Sequence, residues 1–400
     1  MRILFMDWLH WTFPKGNHQL KLYLESLGVE CKNVQPCLIG HCNRALLGDI
    51  PKMKAKSHHR GFNIDEMIKT EATMDSGWYD LKLKELIKYR RWGRFLIDWA
   101  YETFEKEQPD YIVVEGGLTY LSRPVLEVAR ELGIKIITIE NSFIKGKIFI
   151  EFNTGYVVNR HTFARTSQDW LDCRVLDKAR AKEANKIIHN IFKNIAYKTS
   201  GEFDNSQLQH EKTIFVPLQV YADQVTVYDS QFNNETFIKK ILDLAENEFS
   251  DWNFILKCHP KEERNKPKAT GDWLTSFLLP SNVTVIRGEV NSFKTQSLIE
   301  SSDMVMVNNS QAGLEACMLE KPVVVFGDAF YSKKGFTIDY HKNFDWKYLK
   351  ENYADMINIS KMKLWVLYFY KWLYNKHFTD IDKKRISNQL NLKKENENAR

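Results

Sequence analysis

Side chains that could bind phosphate follow several short apolar runs of this sequence. One such run, Met304 to Val307, is followed by Asn308-Asn309-Ser310 and then by Gly313, a pattern typical of the start of a helix. A helix N-terminus offers unpaired backbone N–H groups and the positive end of its dipole, and it binds phosphate without a basic side chain. The segment therefore predicts a nucleotide phosphate site, although a simple N-cap role for Asn309 or Ser310 has the same signature.

A second candidate anion-binding segment is Leu256-Lys257-Cys258-His259-Pro260, at the end of another apolar run. In a parallel sheet it would lie at the same edge as Ser310, where ligands bind outside the carboxyl ends of the strands. A strand-end histidine can donate a hydrogen bond to a phosphate or carboxylate, and it titrates near neutral pH. His259 and Lys257 are therefore candidate ligands, while a lone histidine is also often structural.

Carboxylates complete the set of possible catalytic groups. Asp223, with Gln219 before it, lies in a loop after the apolar run Thr213 to Pro217, where an aspartate could act as a nucleophile or stabilise positive charge. A turn aspartate would have the same spacing. Two carboxylates in different surroundings can divide into an acid/base member and a charged member. Four further polar residues are predicted to line the cleft or the acceptor side: Glu115, Glu140, Glu151 and Asn159.

The elements that position these residues alternate between short β-rich runs and helical stretches, which is typical of an α/β protein with parallel sheets. Predicted strands include Arg2 to Met6, Tyr111 to Val114, Lys135 to Ile139, Thr213 to Pro217, Asn253 to Lys257, Val283 to Ile286, Met304 to Val307 and Val323 to Phe326. The polar stretch Lys198 to Lys212 is the predicted linker. We therefore expect an N-terminal domain over 1–200, a second domain over 201–345, and C-terminal helices with a polar tail over 346–400.

Composition sets wider bounds on the function. The 57 Lys+Arg and 51 Asp+Glu residues give a net charge of +6, too small and too dispersed to indicate nucleic-acid binding. The sequence lacks an apolar run long enough to cross a membrane and a signal-peptide pattern, so we expect a cytoplasmic location. Six cysteines are too few for a disulfide scaffold. The cluster Cys31, Cys37, His41 and Cys42 lacks paired zinc-ligand spacing, so we expect no metal.

Four segments in order resemble the capsule polysaccharide biosynthesis family, specifically the bacterial capsular β-Kdo transferases of the KpsS/LipB and KpsC type. They are spread over about half of the chain, from 139 to 337: IENSFIKGKIFIEFNTGYVVN (139–159), FVPLQVYADQVTVYDSQF (215–232), LKCHP (256–260) and VNNSQAGLEACMLEKPVVVFGDAFYSKKGFT (307–337). The resemblance implies a GT-B-like fold: two Rossmann-like domains facing a cleft, with the donor held mainly by the C-terminal one and no metal or other cofactor in catalysis.

The resemblance also implies roles for individual residues. The family's catalytic positions fall on Asp223 as the nucleophile, Glu140 as the acid/base and His259, and its donor-binding positions fall on Lys257, Pro260, Asn309, Ser310, Gly313 and Gln219. The implied reaction transfers Kdo, or a similar sugar, from a CMP-activated donor to a lipid or glycolipid acceptor with net retention, through a covalent glycosyl intermediate. Alternatives are a non-catalytic export partner that binds glycolipid, and a transferase of the same fold that uses a UDP-sugar.

One further segment, near the C-terminal end of the sequence, concerns the expected contact of the protein with a membrane. Lys361 to Phe378, KMKLWVLYFYKWLYNKHF, is predicted to be a helix rich in aromatic and basic residues. Such a helix suits a membrane interface, where a lipid-linked acceptor would be found, although packing against the N-terminal domain would also explain it. We therefore expect a peripheral protein on the inner face of the cytoplasmic membrane, working with other capsule assembly proteins.

Overall fold

The computed structural model of this chain describes residues 1–6, 15–34, 54–76, 82–153, 171–194, 208–221, 223–259, 270–274, 276–287 and 295–392. The chain forms two compact units. The first comprises Met1–Ala72, Leu83–Thr162 and Lys371–Arg400, and the second comprises Thr73–Lys82 and Phe163–Tyr370.

The first unit is built on a six-stranded sheet in the order β14-β7-β6-β5-β1-β2. Its strands are β1 (Arg2–Met6), β2 (Glu30–Val34), β5 (Tyr111–Glu115), β6 (Lys135–Asn141), β7 (Lys147–Phe152) and β14 (Tyr374–Asn375). β1, β2, β5 and β6 run parallel, whereas β7 is antiparallel to β6 and β14 is antiparallel to β7. β1 thus stands between β2 and β5, so the strand order reverses between β1 and β5, the usual place for a ligand crevice in such sheets.

Helices cover both faces of this sheet, as its alternating apolar residues require. The helices are α1 (Lys15–Ser26), α2 (Ile64–Ser76), α3 (Leu83–Glu107), α4 (Ser122–Glu131) and α13 (Asp380–Gln389). α2, α3 and α4 pack with Ile112 and Val114 of β5 on one face, whereas α1 and α13 pack with Val113 on the other. A small hairpin of β3 (His58–His59) and β4 (Phe62–Asn63) precedes α2.

The second unit holds a six-stranded parallel sheet in the order β10-β9-β8-β11-β12-β13. Its strands are β8 (Lys212–Pro217), β9 (Trp252–Lys257), β10 (Val283–Ile286), β11 (Met304–Val307), β12 (Val323–Val325) and β13 (Ile338–Asp339). Counted along the chain, this is the 3-2-1-4-5-6 order of a dinucleotide-binding fold, with the reversal between β8 and β11. The predicted α/β class with Rossmann-like domains is confirmed in both units.

The second unit's helices are α5 (Lys178–Asn194), α6 (Gln224–Tyr228), α7 (Asn234–Asn247), α8 (Thr270–Leu274), α9 (Thr295–Glu300), α10 (Gln311–Met318), α11 (Trp346–Asn352) and α12 (Ile359–Trp372), with a 3₁₀ turn at Tyr353–Met356. Aromatic rings fill much of the core. Phe326 stacks on Tyr340 at 4.7 Å between ring centroids and on Trp346 at 6.0 Å, which closes the layer beneath β12.

The aromatic and basic helix predicted over 361–378 is shorter than expected, and part of its aromatic side is buried in the second unit. It ends at Trp372, and β14 follows. Trp365 is fully buried, stacks on Phe369 at 4.9 Å and packs with Phe330 at 5.9 Å, all within the second unit. Trp365 and Phe369 therefore face the core of the second unit, whereas Tyr368 and Tyr370 are half-buried. No described helix is both long and apolar enough to cross a bilayer.

The domain limits also differ from those expected. α5 belongs to the second unit although it precedes residue 200, and the predicted linker at 198–212 lies mostly outside the described residues. Residues beyond 371 do not stand apart, because β14 pairs with β7 at the edge of the first sheet, with Tyr374 opposite Ile148. A strand of two residues leaves no periodic pattern in the sequence, so pairing alone reveals it.

Candidate functional site

The carboxyl edge of the second sheet gathers polar residues where its strand order reverses. Gln219 follows β8 and Asn309 follows β11, and the Asn309 backbone N–H donates to Gln219 Oε1 at 3.2 Å. The Asn309 side-chain amide donates to the Val225 carbonyl at 2.8 Å, and its oxygen accepts from the Thr226 hydroxyl at 3.4 Å. Gln219 and Asn309, the two residues predicted to bind the nucleotide-sugar donor, are both buried. Their hydrogen bonds fix the shape of the crevice.

Asp223 lies in the loop that Asn309 holds. It is the N-cap of α6, where its Oδ1 accepts a hydrogen bond from Val225 N–H at 3.2 Å. The interpretation of Asp223 as a turn residue is therefore correct. The hydrogen bond from Val225 N–H also fixes the direction of the Asp223 carboxylate. The structure thus brings Asp223 to the same strand edge as Asn309.

Ser310 starts α10 as its N-cap, as the simpler interpretation of the sequence predicted. Its Oγ accepts from Ala312 N–H at 3.3 Å. Its carbonyl accepts from the buried Tyr331 hydroxyl at 2.5 Å and from Gly313 N–H at 3.0 Å. Tyr331 crosses directly over Gly313, where a side chain would overlap the tyrosine hydroxyl. Gly313 is therefore explained by close packing beneath the helix start.

Lys257 ends β9 two strands from β11, and its side chain is 6% exposed. Its ammonium donates to Thr295 Oγ1 at 2.9 Å. Burial lowers the pKa of Lys257 to about 8, against the opposing charge of Glu315. His259 lies two residues further on and is half-buried, and Pro260 is outside the described residues. A cation buried at a strand edge is well placed to meet an anion.

Glu315 was not predicted as part of this site. It lies on α10, is 7% exposed and accepts from Gln311 Nε2 at 3.1 Å. Its negative charge acts on the buried Lys257 ammonium and raises the pKa of that lysine, against the effect of burial. The spacing from Gln311 is one helical turn, so a helix starting at Ser310 already implied that both residues share a face.

In the first unit, Glu115 lies at the reversal point between β1 and β5. It is the last residue of β5 and is followed by Gly116 and Gly117, whose φ angles of 62° and 90° suit glycine. Burial raises the pKa of Glu115 to about 7. A carboxyl group that titrates near neutral pH can both donate and accept a proton under working conditions.

The predicted acids of the first unit do not form one cluster. Glu115 pairs with Ile139 in the sheet register, so Glu140 projects from the opposite face. Glu151 lies in strand β7, not in the expected loop, and is 2% exposed. It stands opposite Thr138, so it shares a face with Glu140, whose partner is Phe149. The register thus groups Glu140 with Glu151, while Asn159 is outside the described residues.

We expect Glu115→Gln to raise the melting temperature at pH 8 and to leave it nearly unchanged at pH 4. The pKa of Glu115 is about 7 in the folded protein against 4.5 for the ordinary carboxyl, so the folded protein loses stability as the pH rises from about 4.5 to about 7 and keeps that loss at higher pH. Glutamine removes that loss because it never ionises. Thermal melts at the two pH values, with the exposed Glu102→Gln as the control, measure the difference; an equal effect at both values would contradict the prediction.

Among the described residues, no group of three or more His, Cys, Asp or Glu side chains could hold a metal ion. The sequence cluster around Cys37, His41 and Cys42 lies outside those residues.

Comparison with known proteins places the chain in a family. The family model described as "Capsule polysaccharide biosynthesis protein" matches residues 156–368, more than half of the chain. A search of curated proteins gave no match.

Solved structures similar to this chain include two from Thermosulfurimonas dismutans. The KpsC β-Kdo 2,4 transferase is 18% identical over 67% of this chain and 85% of that one, with a TM-score of 0.48. The KpsC β-Kdo 2,7 transferase is 15% identical over 98% of this chain and 100% of that one, with a TM-score of 0.49. A UDP-GlcNAc 2-epimerase from Neisseria meningitidis is 14% identical over 98% and 100%, with a TM-score of 0.33. On the extent of the family match, the chain belongs to the capsule polysaccharide biosynthesis protein family.

Proposed function

We propose that this protein is a glycosyltransferase that moves Kdo, or a similar sugar, from a CMP-activated donor to a lipid or glycan acceptor of capsule or related surface polysaccharide. The observation that carries the proposal is the crevice at the reversal of the 3-2-1-4-5-6 sheet. Lys257 and the start of α10 stand at that edge, and sheets of this order bind nucleotides there. We place the reaction at the inner face of the cytoplasmic membrane.

The proposed reaction proceeds with net retention through two inversions. The Asp223 carboxylate attacks the anomeric carbon, a glycosyl ester forms, and the bond to CMP breaks with CMP leaving as the free nucleotide. An acceptor hydroxyl then attacks the same carbon, Glu140 takes its proton, and the Asp223 carboxylate is released. Lys257 and His259 hold the donor phosphate and the sugar carboxylate through charge-assisted hydrogen bonds.

A thermal-shift titration with CMP, UDP and GDP tests this proposal. A ligand that binds only the folded state raises its stability by RT ln(1 + [L]/Kd), about 2.7 kcal/mol at 100 times Kd. We expect a shift selective for CMP that is lost in His259→Ala and kept in His341→Ala, a change at an exposed histidine of the same unit. A shift selective for UDP would indicate that the donor is a UDP-sugar and not a CMP-sugar. No shift with any of the three nucleotides would favour the non-catalytic export partner.

CMP binding should weaken as the pH rises through 8. Lys257 is charged below its pKa of about 8 and neutral above it, so the Kd for CMP should be level near pH 7 and rise up to about tenfold per pH unit above 8. Lys257→Arg keeps the charge at every working pH and should flatten this profile. The exposed Lys347→Arg is the control. Calorimetric titration between pH 6.5 and 9.5 gives the profile; a wild-type Kd that does not change with pH would exclude Lys257 from phosphate binding.

A further inference from the structure

Four exposed lysines lie along one side of α5. They define the lysine face: Lys178, Lys182, Lys186 and Lys193. At about 100° per residue they occupy about 80° of the helix circumference over a length of about 22 Å, with the exposed Asn185 and His189 between them. The buried side chains of α5 lie on the opposite side: Ala184, Ile187 and Ile191. The packing of α5 therefore leaves all four ammonium groups in the solvent.

The lysine face carries charge that the protein does not neutralise. Its four ammonium groups make no ion pair or hydrogen bond with any residue that the structure describes. On α7, by comparison, Lys239 pairs with Glu235 at 2.6 Å and Lys240 pairs with Asp243 at 2.8 Å. Paired charges one turn apart are common on a solvent-facing side of a helix, and the lysine face departs from this pattern.

The acidic residues of this segment do not balance the lysine face. Glu183 is the one acid of α5, and it lies about 60° outside the lysine face. Asp177 accepts from the Arg180 backbone N–H at 2.8 Å and pairs with the Arg180 guanidinium at 3.2 Å. Asp172 pairs with Lys361 at 3.6 Å. The two aspartates are thus engaged with other cations.

The arrangement of the lysine face weakens the helix that carries it. Lys178, Lys182 and Lys186 follow one another at i, i+4 spacing, where like charges repel and destabilise a helix. Lys178 is also the first residue of α5, at the positive end of the helix dipole, where a cation is unfavourable. Departures from local rules of this kind are typical of functional surfaces.

The composition of the lysine face favours an anionic lipid bilayer as its partner. Protein interfaces are depleted in lysine and rely on Trp, Tyr or Arg anchors, and single-stranded nucleic acids stack on aromatic rings. The lysine face contains no Arg, Trp, Tyr or Phe. A bilayer surface requires no pocket and attracts protruding lysines through its anionic headgroups. Val175, three residues before Lys178, is 77% exposed and adds an apolar side chain that a bilayer can accept.

We propose that the lysine face binds the surface of an anionic lipid bilayer and holds the second unit there by electrostatic attraction. The inference deepens the proposed function, on which it rests for the presence of a lipid-linked acceptor. Because the apolar side of α5 is buried in the protein, this contact does not require insertion of the helix. Binding should therefore depend on headgroup charge and be reversed by salt.

Flotation of the full-length protein with three kinds of vesicle tests this inference. The vesicles are phosphatidylcholine alone, and phosphatidylcholine with an equal part of phosphatidylglycerol or of phosphatidylserine. We expect the wild type to float equally with both anionic vesicles and not with the neutral one. Flotation should be lost between about 0.1 and 1 M salt, over which the screening length falls from about 10 to about 3 Å. Binding to neutral vesicles, or to phosphatidylglycerol alone, would overturn the inference.

A double variant of the lysine face locates the contact. Each lysine near an anionic surface contributes about fivefold to partitioning, so Lys182→Gln with Lys186→Gln should reduce it about 25-fold. Lys182→Arg with Lys186→Arg keeps both charges and should float as the wild type does.

The matched control is Lys342→Gln with Lys347→Gln, which removes two exposed lysines of the same unit that pair with no described residue. Normal flotation of the glutamine variant of the lysine face, or an equal loss in the control, would contradict the inference. A single-stranded oligonucleotide that binds the lysine face more tightly than vesicles of equal charge would assign it to a soluble polyanion instead.

Two further measurements separate this inference from the proposed function. The melting temperature of the glutamine variant should equal or slightly exceed that of the wild type, because a repulsion within α5 is removed. Its transfer of sugar to a water-soluble acceptor should be unchanged. If flotation depends on the lysine face but the wild type transfers no sugar to any acceptor, the membrane surface stands and the proposed function fails. If sugar is transferred but the wild type does not float, only this inference fails.

Discussion

Asp223→Asn is expected to abolish sugar transfer and to leave the protein folded. The asparagine side-chain oxygen can still accept the hydrogen bond from Val225 N–H that caps α6, so the loop keeps its conformation. A neutral amide cannot form the glycosyl ester, and removal of a covalent nucleophile lowers kcat by about 10⁴-fold or more. Initial rates with CMP-Kdo and an oligosaccharide acceptor measure the loss, and CMP binding should be unaffected.

Two companion variants separate chemistry from structure at this position. Asp223→Ala removes the cap as well as the carboxylate, so it should also lower the free energy of unfolding by about 1 kcal/mol. Asp345→Asn is the matched control, because Asp345 caps α11 in the same unit through Tyr348 N–H at 2.8 Å. Full activity in Asp223→Asn would exclude Asp223 as the nucleophile, whereas the absence of any transfer by the wild type would favour the non-catalytic alternative.

Gly313→Ala is expected to destabilise the second unit by about 3 kcal/mol. A Cβ at this position would overlap the Tyr331 hydroxyl and approach Val307 Cγ2 to 2.9 Å. Tyr331 is fully buried and its hydroxyl is bonded to the Ser310 carbonyl, so it has no room to move aside. Overpacking in a close-packed core typically costs 1–3 kcal/mol, and the backbone of α10 would have to shift. Urea denaturation measures the loss.

The same overlap predicts a partial rescue. In a Tyr331→Phe background the hydroxyl is gone, so Gly313→Ala should cost less there than in the wild type. Tyr331→Phe alone should cost about 1 kcal/mol, because the Ser310 carbonyl still accepts from Gly313 N–H. The coupling between the two changes is the quantity to measure. Additive losses would show that the tyrosine hydroxyl is not the obstacle.

The strands of the second sheet were largely predictable because their sequences are short apolar runs bounded by turn residues. β10 and β11 match the predicted Val283–Ile286 and Met304–Val307, and β8 and β9 differ by one residue at the start. In parallel strands, polar residues after each run must meet at one edge. That rule placed Lys257 and Ser310 together before any pairing was known.

Features that depend on distant pairing were not predictable. Glu140 and Glu115 both end strands, but only the register of β5 with β6 shows that they project from opposite faces. Likewise, α12 ends at Trp372, and the Arg385 guanidinium donates to the carbonyls of Lys371 and Trp372 at 3.2 and 2.6 Å. The local aromatic and basic pattern continues past that point, so it predicted a longer helix.

The pairing of β14 with β7 also bears on how the protein is made. The first unit combines the beginning of the chain with residues 371 onwards, including β14 and α13. During synthesis on the ribosome, its sheet therefore stays incomplete until β14 has emerged, while the second unit is already available to fold. Domains usually fold in order from the N-terminus. Here the first sheet can be completed only after the second unit has been synthesised, so the edge of β7 stays open to other strands until β14 pairs with it.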